Sequence, residues 1–220
     1  MITSQEQLRA LYNAPAERAL RKQQVELDRY CLRFIALSPL CILSTGGGTG
    51  MLLDASPRGG RPGFVKAPDK NRLLLPDAGG NNRLDSLSNL LQDPRIGLLF
   101  MVPGFDETLR VNGTARLRDE PHYTALFRNE SARTRLVIEV SVQEAYLHCA
   151  KALMRARLWA PEAQVTRTAM PGMNQMVHAQ AGLAAPAEPQ EVMRARYAHQ
   201  IALEQGGALL GSAPPARGCF

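Results

Sequence analysis

The chain has 220 residues, 45% hydrophobic and 21% charged, a composition that supports a buried core and excludes a disordered, collagen-like or disulfide-scaffold protein. Lys and Arg exceed Asp and Glu by 26 to 20, giving +6, yet aromatic residues are only 5% and no run of five basic residues occurs. That pattern favours a small anionic ligand over nucleic acid, and no apolar stretch approaches the ~20 residues of a membrane span.

Residues 3–37 read as helix, since Leu8, Leu11, Tyr12, Leu20, Leu27, Tyr30, Cys31 and Phe34 recur at spacings of three and four or their multiples, with Pro15 as a break. From Pro39 onward short apolar runs predict strands over 41–44, 51–55, 63–67, 72–75, 96–102 and 136–142, with a glycine turn over 46–50. Leu109, Val111, Ala115 and Leu117 alternate with Arg110, Asn112, Thr114 and Arg116, which adds a strand with one wet face. A short helix is expected from Asn82 to Asp93, with Asn82 as its N-cap and Asp85 completing a variant capping box. A second helix is expected over 143–159 and a third over 190–205, stopped by Gly206 and Gly207. Residues 181–189 read as a linker and 211–220 as a mobile tail. Strands at this spacing, with almost no helix between them, predict a mainly β, antiparallel barrel or sandwich with flanking helices. The expected division is a helical segment over 1–37, a core over 38–160 and a C-terminal linker, helix and tail over 161–220.

Three groups of residues could carry chemistry. Arg58, Arg61 and Lys66 lie on one Gly/Pro-rich connection, where guanidinium forks and an ammonium suit a phosphate. Asn81, Asn82 and Arg83 precede a helix start, and a cation there is disfavoured by the helix dipole unless an anion sits beside it. Glu144, His148, Lys151 and Arg155 would share one face of the expected 143–159 helix, with His148 the candidate acid or base. Cys31, Cys41, Cys149 and Cys219 show no metal-ligand spacing, and no metal site is expected. P-loop, GxSxG, HExxH and GxGxxG patterns are missing. The absence of a basic-then-apolar leader points to the cytoplasm.

The order Ser-Pro-Arg58-Gly, Pro-Gly-Phe-Val-Lys66, Leu-Leu-Leu-Pro-Asp77, Asn-Asn-Arg83-Leu-Asp85, Asn-Leu-Leu-Gln-Asp-Pro94 and Glu107-Thr-Leu-Arg110-Val-Asn-Gly113 resembles the pyridoxamine 5'-phosphate oxidase-like family of flavin split barrels, within its subgroup of FMN-dependent enzymes. The resemblance covers residues 30–160 and implies a small antiparallel split barrel, a homodimer with FMN at the subunit interface, and an FMN-dependent oxidoreductase acting on a small molecule. It implies that Arg61 and Lys66 line the flavin and its phosphate, and that Arg83 is the arginine of the family's Ser-Arg-Lys phosphate motif. Leu84 replaces the lysine of that motif, so Arg58 or Lys151 would supply the missing charge, with Arg155 nearby in sequence. Thr108 stands where the family oxidase has a glutamine at the flavin edge. The oxidase's C-terminal Arg-x-His-Asp-Arg substrate motif is not found in 160–220. The alternative expectation is a non-catalytic flavin or haem binder on the same barrel, with His148 or Cys149 as a haem ligand.

Overall fold

A computed structural model describes residues 1–48, 50, 52–129 and 133–205. The helix expected over 3–37, broken at Pro15, is three short ones, α1 (Gln5–Arg9), α2 (Glu17–Arg21) and α3 (Arg29–Leu37). The expected break at Pro15 falls between α1 and α2, whereas spacing did not register the break before Asp28. Asp28 restarts the helix, its carboxylate accepting from the Tyr30 and Cys31 N–H groups at 2.9 and 2.8 Å. Helices α1 and α2 bury no residue, whereas α3 buries Cys31, Phe34 and Ile35 along one stripe.

Seven strands follow: β1 (Leu40–Gly46), β2 (Leu53–Gly59), β3 (Lys66–Asp69), β4 (Arg72–Ala78), β5 (Arg95–Met101), β6 (Thr108–Arg118) and β7 (Thr134–His148). They form one antiparallel sheet in the order β2-β1-β5-β6-β7-β4-β3, and the sheet is not closed. The expected antiparallel β architecture with flanking helices is therefore present, as a split rather than a sealed barrel. Register explains the core. Cys41 faces Phe100 and Phe100 faces Leu109; Leu43, Leu98 and Val111 form the next row. All six are buried, Phe100 completely, and burial of such a side chain contributes about 1.5–3 kcal/mol. The third row is Thr45, Ile96 and Gly113. Thr45 is buried but satisfied, its hydroxyl accepting from Asn89 Nδ2 at 3.1 Å.

The remaining helices are α4 (Asp85–Gln92), α5 (Pro121–Ala125), α6 (Lys151–Ala156), α7 (Met173–Ala181) and α8 (Gln190–Glu204). Helix α8 matches its expected span, while the expected stop at Gly206–Gly207 and the tail over 211–220 lie outside the described residues. The helix expected over 143–159 is not formed. Strand β7 runs on to His148, and only Lys151–Ala156 is helical. Gln24 pairs with Ala145 in an antiparallel bridge, N–H to O 3.0 and 2.8 Å, which holds that stretch extended. Among the described residues no helix is long and apolar enough to cross a membrane.

Two compact units divide the chain. The first comprises 1–75, 84–117 and 138–152; the second comprises the described residues of 76–83, 118–137 and 153–205. The first holds the three core rows above. The second has Phe127, Val137 and Met193 as its buried side chains.

Candidate functional site

The basic connection of the first unit is built from the backbone outward. Arg58 is half-buried in β2 opposite Cys41. Burial pushes the Cys41 thiol up to about 12, with the Arg58 charge acting in the opposite direction. Beyond β2 the chain is pinned to the α3–β1 junction: Gly60 N–H donates to Pro39 O at 3.0 Å and Gly63 N–H to Ser38 O at 3.2 Å. The Ser38 hydroxyl lies 2.7 Å from the carbonyl oxygens of both Leu40 and Met101, to which it donates. Gly63 has φ +79°, and a Cβ there would stand 3.3 Å from Ala36 O, so this turn requires glycine. Phe64 and Val65 are buried beneath it. Arg61 is thereby left exposed on the turn, and Lys66 emerges half-buried at the start of β3, opposite Leu74. The strand expected over 63–67 begins only at Lys66 because the Pro62–Gly63 turn occupies its first half.

The turn before α4 differs from expectation. Asn82 does not cap the helix. The Asn81 side-chain oxygen accepts from Arg83 N–H at 3.1 Å, an Asx turn, and the N-cap is Leu84 with no side-chain bond. Asn82 and Leu84 both lie in the left-handed region, at φ 60° and 59°. Asparagine tolerates that conformation, but leucine is strained in it. In the second unit Asn81 and Asn82 line a cleft of about 870 Å³ with Arg133, Arg135 and the α8 side chains Arg196, Tyr197, Gln200 and Glu204. These last six residues were not expected. The signals available were an Arg-x-Arg pair entering a strand and the spacing of three and four between Arg196 or Tyr197 and Gln200.

The expected helical stripe of Glu144, His148, Lys151 and Arg155 does not exist, because Glu144 and His148 belong to β7. The two carboxylate oxygens of Glu144 accept from Asn112 Nδ2 and Gln23 Nε2. Beside it Lys22 and Arg110 stand 5.3 and 5.2 Å from the Tyr146 ring centroid, and Lys22 Nζ donates to Leu147 O at 2.8 Å. Glu144 thus ties the N-terminal segment to the sheet. His148 is half-buried at the end of β7, Cys149 is exposed, and Lys151 and Arg155 are exposed on α6. Thr108 is buried at the start of β6, opposite Met101. Among the described residues no group of three His, Cys, Asp or Glu side chains could hold a metal ion.

No curated protein sequence matches the chain. Similar solved structures include HupZ of Group A Streptococcus, at 12% identity over 55% of this chain and 93% of that one, with a TM-score of 0.46. A nimC/nimA family protein of Clostridium acetobutylicum aligns at 14% identity over 56% of this chain and 88% of that one, with a TM-score of 0.42. A general stress protein 26-related member of the pyridoxinephosphate oxidase family, also from Clostridium acetobutylicum, aligns at 12% identity over 53% and 83%, with a TM-score of 0.38. The sequence model of pyridoxamine 5'-phosphate oxidase matches residues 27–149, more than half of the chain, from the end of the N-terminal segment through β7. On that match, the chain belongs to the pyridoxamine 5'-phosphate oxidase family.

Proposed function

We propose that the protein binds FMN and uses it in an oxidoreduction of a small molecule. The observation that carries this reading is the turn bearing Arg58, Arg61 and Lys66, fixed by backbone hydrogen bonds and lying inside the segment that matches the family. Cations on a rigid mount suit the flavin phosphate, because charge-assisted bonds to it require no reordering of the loop. The donor set fits the group. FMN supplies hydride or electron transfer, and the protein binds, orients and tunes it. The proposed cofactor residues are Arg58, Arg61 and Lys66 together with Thr108 and Lys151, all of the first unit, and His148 is the candidate proton carrier; the expected Asn81, Asn82, Arg83 and Arg155 belong to the second unit. A homodimer with the cofactor at the interface completes the proposal. Leu52, Leu53 and Leu91 of the first unit, 88%, 87% and 77% exposed, supply apolar surface that a second copy would cover.

The test is titration of FMN into wild type and into Arg61→Glu and Lys66→Glu, read as quenching of flavin fluorescence. Each charge reversal is expected to weaken binding by roughly tenfold to a hundredfold, the worth of a charge-assisted bond. Wild-type affinity in both variants would overturn the assignment of this turn. Anaerobic addition of NADH or NADPH then separates an enzyme, whose flavin bleaches, from a non-catalytic flavin binder.

A further inference from the structure

Among the described residues the cleft of the second unit is lined by three arginines, Arg133, Arg135 and Arg196, against one carboxylate, Glu204. Arg133 stands in the turn before β7 and Arg135 is the second residue of that strand. Among the described residues neither has an ion-pair or hydrogen-bond partner, and both line the same cleft. Gly79 lies beside Arg135: a Cβ there would stand in ordinary contact, 3.9 Å from the guanidinium carbon. A third cation, Arg196, reaches the cleft from α8 in a fixed pose. Its Nε and Nη2 donate to the Glu188 carboxylate at 3.1 and 2.8 Å, and Asn174 Nδ2 donates to the same carboxylate at 3.0 Å. Those bonds, chiefly from Arg196, hold the Glu188 carboxyl below the usual carboxylate range. Arg196 also sits 4.7 Å over the Tyr197 ring.

Cations gathered in excess of their counter-charge repel one another, and an anion between them reverses the sign of that interaction. Glu204 follows Arg196 along α8 at about 12 Å by helical rise and would accept from a hydroxyl or amino group. A volume of about 870 Å³ is that of a small-molecule site. Helix α8 lies outside the segment that matches the family, and Asn81 and Asn82 are the only cleft residues that the sequence expectation placed with the cofactor.

We propose that this cleft is a second binding site, separate from the flavin, for a small organic oxyanion that also carries a hydroxyl or amino group. Phosphate esters and carboxylates present the same oxygens to arginine, so two probes separate them: inorganic pyrophosphate and citrate, titrated calorimetrically into the full-length protein. The site binds at least one of them, more weakly as salt rises, and the tighter probe identifies the class. The double variant Arg133→Gln/Arg135→Gln is expected to weaken that probe about tenfold or more while leaving FMN affinity at the wild-type value. On the wild type, the same probe is expected to protect Arg133 and Arg135 from phenylglyoxal, mapped by mass spectrometry, which requires no variant to fold. Failure of both probes to bind, binding unchanged in the double variant, or absence of protection would overturn the proposal. Loss of FMN in the double variant would overturn it too, by assigning the cleft to the flavin.

Discussion

Gly113 offers the sharpest test of the packing. It lies in β6 facing Ile96, and a Cβ built there would stand 2.0 Å from the Ser141 carbonyl oxygen of β7. Ordinary contact begins at 3.4 Å, so Gly113→Ala must open the backbone locally by about 1.4 Å. Backbone hydrogen bonds near 2.9 Å cannot survive such a shift. Two ladder bonds lost at about 1 kcal/mol each, with overpacking of about 1–3 kcal/mol, give a destabilisation of about 3–5 kcal/mol. For a chain of this size that is a fall in Tm of about 6–20 °C, read by far-UV circular dichroism. Two controls bracket the mechanism. Gly104→Ala has open space but φ +87°, so conformational strain alone acts, at about 1–2 kcal/mol. Gly80→Ala has open space and no left-handed φ, and is expected to stay within about 0.5 kcal/mol of wild type. If Gly113→Ala melts within about 2 °C of wild type, the close approach of β6 and β7 at this point is wrong.

Other perturbations follow from single observations. Leu27 is fully buried and donates its N–H to Lys70 O at 2.8 Å, so Leu27→Ala is expected to cost about 2–5 kcal/mol in urea unfolding. Removing the Glu144 carboxylate with Glu144→Ala leaves Asn112 and Gln23 without their acceptor, and hydrogen exchange at Gln24 and Ala145 should quicken. An alkylating reagent should label Cys149 in the native protein and reach Cys31 and Cys41 only after denaturation, as read by peptide mass spectrometry. Burial raises the Cys31 and Cys41 thiols from 9.0 to about 11 and about 12. The unfolded chain therefore gives up these protons first. The stability they contribute is whole below about pH 9 and falls as pH climbs toward 12, so the urea midpoint should hold up to about pH 9 and drop progressively above it.

The sheet was legible where pattern and environment agree. The alternation of Leu109, Val111 and Ala115 with Arg110, Asn112 and Thr114 is the inward and outward pattern that β6 displays. The second half of β7 was not legible. Residues Gln143 to Leu147 are rich in strong helix formers, and the extended backbone comes from Gln24 and Asn112, partners far away in sequence that local propensity does not sense. The Asn82 cap failed for a smaller reason: Asn81 closes the turn first, and the cap position moves to Leu84. The cations of the β2–β3 connection were visible because they are neighbours in sequence. Arg135 and Arg196 are some sixty residues apart and meet only in the fold, with no motif to announce them.

The central claim is that the family fold here carries a flavin. Its most direct test is the visible absorbance spectrum of the freshly purified protein, before any cofactor is added and again after denaturation. The account predicts the two absorption bands of a flavin, shifting as the ligand is released. A colourless protein that also fails to take up added FMN, or a Soret band in place of the flavin bands, would contradict it.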